Sequence, residues 1–175
     1  MKFAFLFLIP FLLSNISLAY DIDKIRNNYI EAINDNKKSE ALYKELSAIA
    51  KPDALILAYL GSAQAIRAKH AWNPVNKMSY LKQGSKTLDA AVNSASNNLE
   101  VRFLRFSLEH FLPPFLGYSK HLEIDKNKIL ELLEHKNSRV LLKGNTKILK
   151  NIINFMIESK RFSPTEVDTL NKFKV

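Results

Sequence analysis

The chain reads as an all-α protein, one domain of seven or eight antiparallel helices arranged as a bundle or as a stack of helical hairpins. Three observations carry that reading. Glycine is scarce, at 4 residues in 175. No stretch alternates apolar and polar residues over more than a few positions, so strands have no signature. Apolar residues instead recur at steps of three and four between short polar breaks, and short links between successive helices favour antiparallel packing.

The first nineteen residues, Met1 to Ala19, stand apart from that pattern. Lys2 is a minimal positive region, Phe3 to Leu13 an apolar run broken only by Pro10, and Ser17-Leu18-Ala19 puts small residues at −3 and −1 of a cleavage point. This is the layout of a secretory signal peptide. The run is too short to span a hydrocarbon core of about 30 Å comfortably, so cleavage after Ala19 is expected rather than an uncleaved anchor. The domain is then 20–175, in the periplasm or outside the cell.

Asp21 caps a first helix with Ile22, Ile25, Tyr29 and Ile33 on one face. Asn36-Lys37-Lys38 is a polar break, after which Ser39 is expected to cap a second helix carrying Leu42, Leu46 and Ile49. Lys51-Pro52-Asp53 breaks the chain again. The third helix, Asp53 to about Ala71, lines one face with Ala54, Ala58, Gly61, Ala65 and Ala68. Side chains no larger than a methyl let a neighbouring helix approach to nearer 8 Å than 10 Å, roughly, between axes. This helix is therefore expected to be sandwiched between others.

Asn73-Pro74 restarts the chain, with Pro suited to the first helical position. Met78, Leu81, Leu88, Val92 and Ala95 form one stripe. Asn97-Asn98-Leu99-Glu100 reads as a capping box opening a fifth helix. That helix is apolar on several faces, the mark of a central element, and Pro113-Pro114 ends it. After the turn at Leu116-Gly117-Tyr118, Ser119 is expected to cap a sixth helix with Leu122, Ile129, Leu130 and Leu133. Ser138 starts a seventh with Leu141, Ile148, Ile152 and Met156 inward, which Gly144-Asn145 can split. Ser163-Pro164-Thr165-Glu166 caps a short last helix with Val167, Leu170 and Phe173.

Composition bounds the function classes. The chain has no cysteine, hence no acylated lipobox cysteine and no disulfide; its core alone must hold it. It is 47% hydrophobic and 25% charged, ordinary values for a globular domain. Its formal charge of +9 falls by one when Lys2 leaves with the leader. A basic balance suits an anionic partner, but export argues against nucleic acid, and scattered lysines also serve solubility. The four histidines, His70, His110, His121 and His135, show no metal-ligand spacing. There is no G-x-S-x-G, phosphate-binding or dinucleotide motif and no paired-acid pattern, so no catalytic residue, cofactor or metal is assigned.

From Ala58 to Asp125 the chain carries the blocks NP..K..YL, E.RFLR and P.FLGY. As a set they resemble a family of small, exported, uncharacterised bacterial proteins that are all-helical. The resemblance implies an exported helical domain and carries over no site residue. The small-residue face of the third helix is similar to the tight helix pairs of tetratricopeptide stacks, although no period of roughly 34 residues is present.

The candidate site residues are Arg102, Arg105, Glu109, Trp72, Lys69, His70 and Tyr118. Arg102, Arg105 and Glu109 fall within about 60° of one another on the most apolar helix. Guanidinium binds carboxylate or phosphate through two parallel bonds. The stripe is either an anion or peptide-carboxylate site in a helical groove, or a structural set in which Arg105 pairs with Glu109 and Arg102 with Glu100 or an acid on a neighbour. Lys69-His70-Ala71-Trp72-Asn73-Pro74 puts the single Trp beside a turn, either lining a recognition pocket or plugging the end of a helix pair; Tyr118 and His121 follow a second turn that can join the same edge. Arg139, Lys143, Lys147 and Lys150 form a basic ridge, either a rest for anionic lipid or a solvated face. These features point to an interaction module for another envelope or secreted protein or peptide. The alternatives are a lipid- or small-anion-binding envelope protein and, behind it, an unrecognised hydrolase.

Overall fold

The computed structural model describes residues 20–134 and 146–174, and all its regular structure is helical. The elements are α1 (Ile22–Ala32), α2 (Asn36–Ser47), α3 (Ala54–His70), α4 (Pro74–Ser94), α5 (Leu99–Phe111), a 3₁₀ turn at Pro114–Leu116, α6 (Leu122–Glu134), α7 (Thr146–Glu158) and α8 (Pro164–Asn171). Successive helices pack in sequence from α1 to α6, and α3 also touches both α1 and α5. The result is a stack of antiparallel hairpins forming one all-α domain.

Most helix starts follow directly from local chemistry. Asp21, Asp53 and Asn73 accept hydrogen bonds from the free N–H groups of their first turns, with Pro74 immediately inside α4. Ser163 and Glu166 form a complete reciprocal capping box at α8.

Three caps differ from the sequence expectation. α2 begins at Asn36, capped by Asp35, whose carboxylate accepts from both Lys37 and Lys38; Ser39 lies buried inside the helix. The "polar break" was thus itself helical, because a carboxylate upstream outcompetes a hydroxyl downstream as acceptor. Asn98 rather than Asn97 caps α5, and Glu100 does not turn back to close a box because its carboxylate is held by Arg26 and Tyr59. Ser119 donates to the carbonyls of Glu109 and Leu112 at the end of α5 instead of capping α6. The proposed start at Ser138, Leu141 and the Gly144-Asn145 break lie outside the described residues.

The small-residue face of α3 does what its composition predicts. Gly61 meets Gly84 of α4 so closely that a Cβ on Gly84 would stand 2.7 Å from the Gly61 carbonyl oxygen and 2.9 Å from the Ala65 nitrogen. α3 is in fact enclosed by α1, α2, α4 and α5.

Two apolar clusters share α5. Ile25, Leu42, Leu46, Ile56, Tyr59, Leu88 and Val92 pack with Val101 and Leu104 on one side. Leu99 and Phe106 join Ile129, Leu133, Ile152, Ile153, Met156 and Leu170 on the other. The helix expected to be central is therefore the seam of the molecule. Met78, expected in the α4 stripe, is instead exposed, and the burial of that stripe begins at Leu81.

Candidate functional site

The odd-numbered helices build a groove. α3 and α5 form its floor, α1 and α7 its walls, and Lys77, Leu81 and the Phe111–Leu116 segment one end. Its volume is about 1030 Å³, at the top of the range usual for small-molecule sites. The lining is mainly apolar: Ile30 and Ile33 from α1 and its end, Ile66 from α3, Leu108 and Phe111 from α5, Phe155 from α7. Phe155 is anchored edge-on against Phe103, Phe106 and Phe111, which fixes the α7 wall.

Polar groups converge on the floor. Glu100 is buried, accepts from Arg26 Nε at 2.9 Å and also pairs with Arg26 Nη2, and takes the Tyr59 hydroxyl at 2.6 Å. The Glu100 partnership outweighs burial and raises the Arg26 guanidinium above its ordinary range. Burial, then the Glu100 charge, pushes the Tyr59 hydroxyl far up, so it stays a donor. Tyr29 meets Tyr59 edge-to-face at 5.5 Å, and burial raises its hydroxyl too. The Ser107 and Ser62 hydroxyls face the Tyr29 hydroxyl and oppose that rise, and the buried Ser62 Oγ makes no hydrogen bond of ordinary length and angle. A hydroxyl held this loosely on the floor of a groove keeps capacity for a polar atom of a guest.

The candidate residues divide between three places. Lys69 lines the groove, its ammonium donating to Ile33 O at 2.8 Å and Asn34 Oδ1 at 2.9 Å. His70 follows it, Nε2 donating to Ala32 O at 3.1 Å. Both tie the end of α3 to the end of α1. Tyr118 lies against the early part of α4, its hydroxyl reaching Met78 Sδ at 3.9 Å, and Trp72 lies just ahead of that helix; neither lines the groove. Trp72 is fully exposed and plugs nothing.

Arg102, Arg105 and Glu109 lie on the face of α5 turned away from the groove. Arg105 donates to both oxygens of Asp125, and its Nη1 reaches Asp89 at 2.9 Å. Burial opposes its charge, but Asp125 and Asp89 prevail and hold its pKa raised. Arg102 donates to Ser96 O and Asp125 Oδ1. Glu109 accepts the His121 backbone N–H and faces its Nδ1, both at 2.8 Å, closing the start of α6. Of the structural pairings expected, Arg105 does not take Glu109, whereas Arg102 takes the acid on a neighbouring helix, Asp125, in place of Glu100. The network instead binds α4, α5 and α6 together. Of the basic ridge, Lys147 reaches Asn27 at 3.3 Å and Lys150 is exposed; Arg139 and Lys143 lie outside the described residues.

Among the described residues no cluster of His, Asp or Glu could hold a metal, and no helix is long and apolar enough to cross a membrane. Sequence reasoning missed the groove, because its lining comes from five helices, each contributing residues that read as ordinary core. Comparison with family models, characterised proteins and solved structures finds no match.

Proposed function

We propose that this protein is an exported helical interaction module whose groove receives an apolar segment of an envelope or secreted protein, or a peptide. The observation that carries the reading is the groove, about 1030 Å³ of mainly apolar space walled by helices. Such a trough suits an amphipathic helical segment, which satisfies its own backbone and presents anchors at i, i+3, i+4 and i+7. Ile33, Ile66, Leu108 and Phe155 are the surfaces those anchors would meet. Lys77 at the mouth suits an acidic flank. The leader supports export, and the resemblance to small exported helical proteins agrees with it.

A second reading rests on the same apolar lining: an acyl chain needs no backbone partners and would also fill it. The test is affinity capture from envelope extract with wild type and with an Ile66→Glu, Leu108→Glu variant verified as folded by circular dichroism. Both side chains are half-buried and line the groove. A polypeptide retained by wild type and lost from the variant supports the module. Phospholipid co-purifying with wild type alone moves the second reading ahead. Equal capture by both refutes the groove as the site.

A further inference from the structure

We propose that the end of the molecule carrying Trp72, Val75, Phe111 and Phe115 docks on the interface of an anionic phospholipid bilayer. This surface shares only Phe111 with the groove lining, and the inference stands whatever the groove holds. Relative exposures there are 100% for Trp72, 85% for Phe115, 74% for Val75 and 72% for Phe111. With Met78 these are most of the exposed large apolar side chains among the described residues; only Ile30 and Ile124 lie elsewhere. A concentration of this kind marks an interaction surface.

The apolar tips come from two turns, α3–α4 and the 3₁₀ turn after α5, tied by the Tyr118–Met78 contact. Gly117 makes the second turn possible: its φ of +71° is left-handed, open to glycine without strain. Trp72 and Phe115 project freely, and Phe111 stands largely exposed where the groove ends. A protein partner would need a matching recess for each, whereas a bilayer interface accepts projecting aromatic and aliphatic tips wherever they fall.

Charge selects the lipid. Between Arg67 and Asp89 the sequence carries Lys69, Lys77, Lys82 and Lys86 and no acid; from His110 to Leu122 it carries Lys120 and no acid. Lys69 is held by Ile33 O and Asn34, and Lys86 lies more than three turns into α4. Lys77, Lys82 and Lys120, all exposed, are thus the ones that can lay their stems along the tip and keep their ammonium groups at the phosphate level. The groove end formed by Lys77, Phe111 and Leu116 would then open beside the bilayer.

The full chain carries a single Trp, so Trp72 is a local reporter that insertion of another segment does not mimic. Its fluorescence would be followed on adding vesicles of phosphatidylglycerol or phosphatidylcholine, each with and without brominated acyl chains. The expected result is a blue shift and bromine quenching with phosphatidylglycerol and little of either with phosphatidylcholine. Val75→Ser with Phe115→Ser should weaken the phosphatidylglycerol response at least tenfold, and Lys77→Glu with Lys82→Glu should remove most of its salt dependence. All four positions are exposed, and circular dichroism verifies folding. The groove-blocked Ile66→Glu, Leu108→Glu variant should respond as wild type does. An unshifted, unquenched Trp72 on phosphatidylglycerol, or vesicle binding indifferent to Val75 and Phe115, would overturn the proposal. So would a blue shift that follows protein concentration without vesicles, which would identify a second copy as the occupant.

Discussion

Arg105 and Asp125 meet through two parallel hydrogen bonds, Nε to Oδ2 at 2.7 Å and Nη2 to Oδ1 at 2.8 Å, with the carboxylate fully buried. Arg102 adds a third donor to the same carboxylate. One acid on α6 thus satisfies two guanidinium groups on α5. Removing it leaves the buried Arg105 with Asp89 alone and the partly buried Arg102 with only the Ser96 carbonyl. Asp125→Ala should therefore cost about 3–5 kcal/mol, measured as the change in urea midpoint at unchanged slope. Arg102→Ala, whose guanidinium keeps no other buried acid waiting, should cost clearly less.

The Gly61–Gly84 approach makes a second, sharper prediction. Gly84→Ala places a methyl group against the backbone of α3, where no rotamer relieves it. Overpacking of this kind typically costs about 1–3 kcal/mol, and here the obstructing atoms are backbone, so the upper part of that range is expected in thermal or urea unfolding. An Ala at Gly117 would strain the left-handed turn without any clash, because nothing lies within 4 Å of its Cβ position.

His110 provides a pH prediction. Burial, followed by the neighbouring Arg161 charge, lowers its pKa, and its Nδ1 accepts from Arg161 Nε at 2.7 Å. The unfolded chain, near an ordinary histidine pKa of about 6.5, then binds the proton more readily than the folded one. The stability it contributes is present above that value and lost as pH falls through the lower folded pKa. Melting temperature should decline between neutral and mildly acidic pH, and His110→Gln should make that decline shallower.

Ser62 separates stability from binding. Its buried hydroxyl faces Tyr29 without a hydrogen bond of ordinary geometry, and a buried polar group left unsatisfied costs at most about 1–3 kcal/mol. Ser62→Ala should leave the free protein as stable as wild type or more so. If a guest supplies the missing hydrogen bond, the same variant should hold that guest less tightly, an effect visible by titration calorimetry once the guest is in hand.

The helices were legible because their signals are local. Asp53, Asn73-Pro74 and Ser163-Pro164-Thr165-Glu166 announce helix starts within four residues, and the Ala and Gly run of α3 announces a close neighbour. The identity of that neighbour was not legible, because Gly84 lies in a helix whose own pattern looks unremarkable. The Arg stripe showed that α5 carries buried charge, but not its partners: Asp125 and Asp89 arrive from other helices, while Glu109 and Glu100, close in sequence, are taken by His121 and by Arg26 and Tyr59. Local spacing offers a pairing; tertiary packing decides among offers. The groove was illegible for the same reason. Its lining residues are mostly buried or half-buried members of ordinary helix faces, and only the packing of α1, α3, α5 and α7 gathers them around one hollow.

The most direct test of the groove is photocrosslinking in living cells from p-benzoylphenylalanine at Leu108, on the groove floor, beside the same label at exposed Glu123 on α6. The account predicts a discrete polypeptide adduct from position 108, missing from position 123 and lost when Ile66→Glu is added. Equal labelling from both positions, or a Leu108 adduct that survives Ile66→Glu, would contradict it.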